Sequence, residues 1–304
     1  MRINMTNKLS SLLLSLTLCS GTALSAQGGY VLFPNGTVTP EISASERVVR
    51  PVSAPYFHED SFVSSDLRAW YLVHHFYNDT IGGGTNGEVT VAALQVRLAL
   101  TETLQLVAYK DGYTEFDNTA VLGDNDGMND IGAGLKWAFL QDWDKQLHAA
   151  VGIGYEFGFG DDEVLQDTDE LRLWASVNKG YGELHLGATV NYLVAMDEDD
   201  GLLGNADQVT VHLHADYFVS DWFSPVVEVN GYFVTDESAA APAFSGVDAV
   251  SLPGGEDEDT ITGVIGAELR PCSGIALRGA YETELSDSVS LFGHRWTFSA
   301  VYEF

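Results

Sequence analysis

The most constraining feature of this chain is a period of two that recurs from Asp66 to Phe304. In Gln146–Gly160, Leu147, Ala149, Val151, Ile153, Tyr155, Phe157 and Phe159 share one side. His148, Ala150, Gly152, Gly154, Glu156 and Gly158 share the other. Only an extended strand separates such sets, because its side chains alternate across the backbone. The same test predicts strands near 66–77, 88–100, 104–113, 129–139, 146–160, 171–178, 183–196, 208–219, 225–235, 260–270, 275–285 and 295–304. The first three alternate less cleanly. The last nine admit a phase with no charge on the apolar face, while the opposite faces hold Glu183, Arg270, Glu282, Glu303 and the residues singled out below. Lipid would demand that separation, since a basic side chain facing lipid at the midplane costs ~2–4 kcal/mol. A soluble sandwich would alternate as well, with its apolar face turned inward.

The connections distinguish the two pictures. Short ones near 101–103, 140–145, 179–182, 220–224 and 271–274 alternate with long ones at 78–87, 114–128, 161–170, 197–207, 236–259 and 286–294. Membrane barrels alternate in this way, with periplasmic turns and external loops, and closure leaves no unpaired edge in lipid. The expectation is an all-β fold: a transmembrane antiparallel up-and-down β-barrel of 12 strands over residues 66–304. An even strand count puts both barrel termini on the short-turn side, which is periplasmic in an outer membrane.

Residues 1–26 read as a secretory signal peptide: Arg2 and Lys8, an apolar stretch from Leu12 to Cys19, then small residues up to Ala26. A lipid anchor on Cys19 is the weaker alternative, because Leu18 stands where a small residue is wanted. Residues 27–65 carry Pro34, Pro40, Pro51 and Pro55 and keep no period. They form an irregular N-terminal extension, either a periplasmic tail or a plug. Without the leader, Cys272 is the one cysteine, so no internal disulfide can form. The net charge is −30, or −32 once the two basic leader residues are gone, which excludes nucleic acid as a partner. With 45% hydrophobic residues the chain is not disordered.

The last strand sets Trp296, Phe298, Ala300, Tyr302 and Phe304 against Arg295, Thr297, Ser299, Val301 and Glu303. It resembles the C-terminal signal that Gram-negative outer-membrane barrels present to their assembly machinery, with Trp296, Phe298, Tyr302 and Phe304 as its recognition face. The run Asn129–Lys136 resembles a strand of the transporter-like family named for the meta pathway of phenol degradation, which is related to the fatty-acid transporter barrels. Arg97–Leu104 is similar to that family's short turn. The resemblance implies an outer-membrane channel or uptake protein for small hydrophobic compounds, and it fixes no binding residue.

Candidate lumen-lining residues follow from the polar faces: Lys136, Glu156, Arg172, His212, His214, Asp216, Glu228, Asn230, Glu268, Arg278, Glu284 and Arg295. Turn positions place His214 opposite Asn230, Asp216 opposite Glu228, Thr189 beside His214, Glu268 facing Arg278 and Glu284 facing Arg295. Such pairs suggest a constricted interior. A metal site on the two histidines is the lesser alternative to hydrogen-bonded filler. Inward Gly152 and Gly154 relieve crowding rather than bind phosphate, since no helix follows them. The long loops hold no Lys or Arg. They suit a solvated acidic surface first, and divalent cations or lipopolysaccharide bridged by them second, with Asp124, Asp126, Asp197 and Asp199 as weak calcium candidates. No catalytic set and no cofactor is expected. The function expected is a channel or transporter passing small solutes through a narrow polar lumen. The alternative is a non-conducting surface barrel with cation-binding or partner-binding loops. Outer-membrane lipid, lipopolysaccharide and the assembly machinery are the expected partners.

Overall fold

The period of two becomes a closed wall in the computed structural model, which describes residues 29–36, 40, 42–75, 87–117, 124–164, 169–196, 207–236, 259–286 and 293–304. Residues 1–26, expected as a leader, lie outside these residues. The strands are β1 (Asp66–His75), β2 (Glu88–Ala99), β3 (Leu104–Lys110), β4 (Tyr113–Asp117), β5 (Asp126–Met128), β6 (Ile131–Asp142) and β7 (Leu147–Phe157). They continue as β8 (Glu170–Tyr181), β9 (Leu184–Ala195), β10 (Asp207–Tyr217), β11 (Phe223–Asp236), β12 (Thr260–Cys272), β13 (Ile275–Glu284) and β14 (His294–Glu303). All pairings between these strands are antiparallel, and β1 bonds both β2 and β14, which closes the sheet.

The segment 114–128, expected as loop, contains β4 and β5. β2 pairs with β3 through Val96–Ala99 and with β4 through Glu88–Ala92, so β3 and β4 are one stave with a break. Gly112 makes the break at φ +123°, where a Cβ would lie 2.6 Å from the Ala92 carbonyl oxygen. The Leu94 N–H left over is taken by the Asp111 carboxylate at 3.2 Å. With β3 and β4 counted together and the short β5 set aside, the barrel has twelve staves.

The wall is inside-out relative to a soluble protein. Outward Ile265, Trp137 and Phe298 are 66%, 54% and 47% exposed, while inward Lys136, Arg172 and Arg295 are fully buried. Among the described residues no helix is long and apolar enough to cross a membrane. A closed sheet with an apolar exterior satisfies its own backbone, and lipid is the solvent that such an exterior fits. The chain is therefore a β-barrel of the outer membrane. Both of its barrel ends, Asp66 and Phe304, lie at the short-turn, periplasmic end.

The interior belongs to the N-terminal extension. Gly29–Gly36 lines the short-turn rim, where Tyr30 N–H donates to Phe304 O (2.7 Å) and Leu32 N–H to Ala99 O (2.9 Å). A 3-10 turn at Ala44–Glu46 precedes Arg47, which reaches the Asp221 carbonyl at the turn after β10. The chain then enters the lumen. Residues 48–62 are all buried, and they return to the rim at Ser65, whose hydroxyl bonds Tyr30 O. This re-entrant finger turns at Ala54–Phe57, where Phe57 and His58 N–H both donate to Ala54 O. Ala54 takes φ +44°, a left-handed conformation unusual for a residue with a Cβ, and it is fully buried.

Candidate functional site in the barrel lumen

The descending limb of the finger, His58–Phe62, brings carboxylates to basic walls. Glu59 pairs with Arg97 of β2 (2.5 Å) and lies 3.7 Å from Lys136 of β6. Asp60 lies 3.5 Å from Lys136 and 3.6 Å from Arg68 of β1, and it also binds Arg50 of the other limb at 2.6 Å. The Arg50–Asp60 pair ties the two limbs together. Ser61 N–H and Oγ both donate to Asn178 Oδ1 of β8, at 2.9 and 2.7 Å.

The ascending limb, Val48–Ser53, uses the opposite chemistry on the opposite wall. Val49 N–H donates to Asp216 of β10 (3.1 Å), while Val52 and Ser53 N–H donate to the Glu228 carboxylate of β11 (3.0 and 2.9 Å). The Ser53 hydroxyl also donates to Glu228. The two acids are shared with histidines: His214 reaches Glu228 (2.7 Å) and Asp216 (3.1 Å), and His185 reaches Asp216 (2.8 Å). His212 bonds Asn230 (2.8 Å) and Thr210 (2.9 Å), and stacks with His58 of the finger. Both ring nitrogens of His212 and of His214 are thus committed to protein oxygens.

The apex packs differently again. Tyr56 and Phe57 sit among Trp70, Leu72, Val89, Val91, Ala93 and Phe116. The Tyr56 hydroxyl donates to Asp111 O, and Asn129 Nδ2 donates to that hydroxyl at 3.0 Å. Arg172 of β8 gives its guanidinium to the carbonyls of Tyr56 and Phe57 while its Nε donates to Asn191 (2.9 Å). It lies over the rings of Tyr109 (4.7 Å) and Trp174 (4.8 Å). Gly152 makes room for that arrangement, since a Cβ there would stand 2.1 Å from the Trp174 ring.

Seven of the residues singled out by sequence thus meet or flank the finger: Lys136, Arg172, His212, His214, Asp216, Glu228 and Asn230. Others pair within the wall. Glu156 binds Lys110, and Glu268 lies opposite Arg278 at 2.8 Å with Arg270 on its other side. Three expected pairings are corrected by two residues. His214 stands opposite Glu228 and Gly187, His212 opposite Asn230 and Thr189, and Asp216 opposite Val226. The turn after β10 centres on Asp221, one residue earlier than the spacing suggested, and each residue of turn position moves a partner by two. Arg295 likewise stands opposite Glu282, which it binds at 2.6 Å, and Glu284 is half-buried beside Ser286. A shift of two keeps every side chain on its face. Glu183, assigned inward, lies in the exposed turn after β8.

Asp126 accepts the Tyr113 hydroxyl; Asp197 and Asp199 lie outside the described residues. Among the described residues no group of three acid, histidine or cysteine side chains is arranged to hold a metal. Trp296, Phe298 and Tyr302 face outward on β14, the strand that closes the barrel against β1. The sequence reading missed Glu59, Asp60 and His58 on the finger and Arg68 and Arg97 on the wall. A signal for the acids was present: basic wall residues such as Lys136 with no acid at a neighbouring strand position require one from elsewhere.

Solved structures similar to this chain include outer-membrane barrels. The chain is similar to the NanC porin, with a TM-score of 0.50 at 10% identity over 79% of this chain and 100% of that one. The KdgM porin gives 0.45 at 10% identity over 80% and 99%. The translocator domain of autotransporter NalP from Neisseria meningitidis gives 0.43 at 14% identity over 83% and 92%. No family model matches the chain, and a search of curated proteins finds no match.

Proposed function

We propose that this protein is a gated channel or transporter for small solutes, closed in the state described here by its own finger. The observation that carries the proposal is the chemistry of the seal. Ion pairs and hydrogen bonds tie the finger to a charged lumen on both limbs. Such pairs roughly offset their own desolvation, so a water-filled lumen can replace them at small net cost. Apolar contacts add to them: two buried rings at the apex, together worth about 3–6 kcal/mol, and Val49 and Val52 against Val226, Val264 and Ala280 on the ascending side. A seal of this kind holds a closed state and still permits an open one. The small hydrophobic compounds implied by the phenol-pathway resemblance would find two apolar zones, the nest around Tyr56 and Phe57 and the smaller cluster at Val226, Val264 and Ala280. The polar remainder of the lumen supports polar solutes.

That same nest favours a second reading, in which the finger is permanent filler and the barrel serves as a non-conducting surface protein with cation-binding or lipopolysaccharide-binding loops. A tether separates the two. Ser53 Oγ and Asn230 Nδ2 are 3.0 Å apart. A disulfide in S53C/N230C, made in a C272S background, pins the ascending limb to β11. The gated reading expects planar-bilayer currents that vanish on oxidation and return on reduction. Silence under both conditions supports permanent filler. As further parts of the proposal, the outward face of β14 is what the assembly machinery engages, and the acidic loops meet lipopolysaccharide through divalent ions.

A further inference from the structure

Three lumen cations depend on the finger. Among the described residues, the carboxylates within ion-pair distance of Arg97 and Lys136 all belong to it: Glu59 at 2.5 Å from Arg97, and Glu59 and Asp60 at 3.7 and 3.5 Å from Lys136. Arg172 spends its guanidinium on the finger's Tyr56 and Phe57 carbonyls and on Asn191. Glu59 also lies within electrostatic reach of Arg172. The other lumen bases have acids of the wall within ion-pair distance. Arg68 holds Asp66 at 2.7 Å, Lys110 binds Glu156, Arg270 and Arg278 share Glu268, and Arg295 holds Glu282.

Withdrawal of the finger therefore changes the lumen in one place above all. It takes from Arg97, Lys136 and Arg172, on β2, β6 and β8, their finger oxygens, and leaves Arg97 with Gln95 (3.1 Å), Arg172 with Asn191 (2.9 Å), and the wall acids Asp66 and Glu170 at longer range. The three are at most 1% exposed in the closed state, and Arg97 Nε is already without a hydrogen-bond acceptor. Water can hydrate the vacated guanidinium and ammonium groups, but a carboxylate is the acceptor whose charge and geometry a guanidinium fork matches.

We propose that Arg97, Lys136 and Arg172 form the recognition site for a carboxylate-bearing solute, and that Glu59 and Asp60 hold this site as its internal surrogate. The proposal rests on the gated reading above. It adds the substrate class and couples it to opening. A dicarboxylate that binds the three bases does so only when the finger has left them, so it stabilises the open state by mass action. The finger and the solute compete for one set of cations, and the solute opens its own path. No covalent step is involved.

The test uses full-length protein in planar bilayers, with succinate as the probe and chloride at matched ionic strength as the control. In the wild type, succinate raises open-state occupancy and chloride does not. In E59Q/D60N the finger no longer competes, so the channel opens without succinate, and succinate now reduces the current by seating on the vacated bases. In R97Q/K136Q the succinate effect weakens about tenfold or more, equivalent to ~1.4 kcal/mol. Channels that conduct in the wild type and in E59Q/D60N but ignore succinate in both overturn the carboxylate site and leave gating intact. A barrel that stays silent in every variant, with or without succinate, overturns the gated reading and this inference with it. Should E59Q/D60N fail to assemble, the wild-type titration alone decides, because a succinate response equal to that of chloride overturns the proposal.

Discussion

The two limbs of the finger lie in one lumen and are held by inverted chemistry. On the ascending limb the wall supplies the charge: Asp216 and Glu228 accept backbone N–H groups of Val49, Val52 and Ser53. On the descending limb the finger supplies it: Glu59 and Asp60 meet Arg97, Lys136 and Arg68. The difference decides what each contact is worth and what it leaves behind. A wall acid that loses a backbone donor keeps its histidine. A wall base that loses a finger acid keeps, among the described residues, no carboxylate within ion-pair distance in the case of Lys136. The ascending limb is thus a replaceable anchor, and the descending limb is a charge-specific latch.

The largest expected effect breaks the latch. Lys136→Met leaves Glu59 and Asp60 short of one buried cation, and removal of one partner from a buried pair typically costs ~3–5 kcal/mol. The finger rather than the wall absorbs the loss, because its departure rehydrates both acids. The expected outcome is a wall that still resists urea with an unchanged midpoint, and a finger whose 48–62 segment becomes open to protease. A wall midpoint that falls in step with finger exposure would show the two to be one cooperative unit.

The anchor should break less. Glu228→Gln keeps an amide oxygen for Val52 or Ser53 N–H but turns a bond to a charged group, worth about 1.5–3 kcal/mol, into a neutral one worth about 1 kcal/mol. Hydrogen exchange at the Val52 and Ser53 amides is expected to quicken while Ser61 stays protected by Asn178. Equal loss of protection on both limbs would sink the distinction between anchor and latch. At the apex the effect is smaller again. Tyr56→Phe keeps the ring in its nest and removes the hydroxyl bonds to Asp111 O and Asn129, about 1 kcal/mol. Exchange at Phe57 and His58 reads it.

The same contrast explains what the sequence showed. The outer wall was legible because lipid imposes one rule on every second residue, and Trp137, Ile153, Ile265 and Phe298 obey it. The first two strands alternated poorly for a reason visible at the apex. Trp70, Leu72, Val89 and Val91 face inward yet are apolar, since they line the nest of Tyr56 and Phe57. Both faces of β1 and β2 are therefore apolar in their outer halves, and the period weakens. The finger escaped because it has no regular element and so no period. Its partners are chosen by charge, three-dimensionally, from strands far apart in sequence. Register failed by two at His214 and Arg295 because a period of two cannot sense a shift of two. The candidate site was read as a set of wall residues, and its missing half was the finger that completes it.

The smallest effect concerns neither limb but the rim segment that leads into them. Glu102, in the turn after β2, accepts the N–H groups of Asn35 (3.0 Å) and Gly36 (3.3 Å). The Asn35 N–H does most to hold its carboxyl below the usual range, and the Gly36 N–H assists. A carboxyl lowered by folding contributes its full share while pH is above the ordinary range, and that share is lost as pH falls through the lowered value. This carboxylate is the limbs' logic in miniature: it binds backbone N–H, as Glu228 does, but at the water-facing rim, where screening makes such contacts weak. Exchange at the Asn35 and Gly36 amides, taken as the ratio of wild type to Glu102→Gln, is expected to show protection near neutrality and to converge on unity in acid. Loss of rim protection should leave Val52 and Ser61 unaffected, because the finger is held by the lumen and not by its lead-in. Acid-induced exposure of the finger in step with the rim would instead make Glu102 part of the gate.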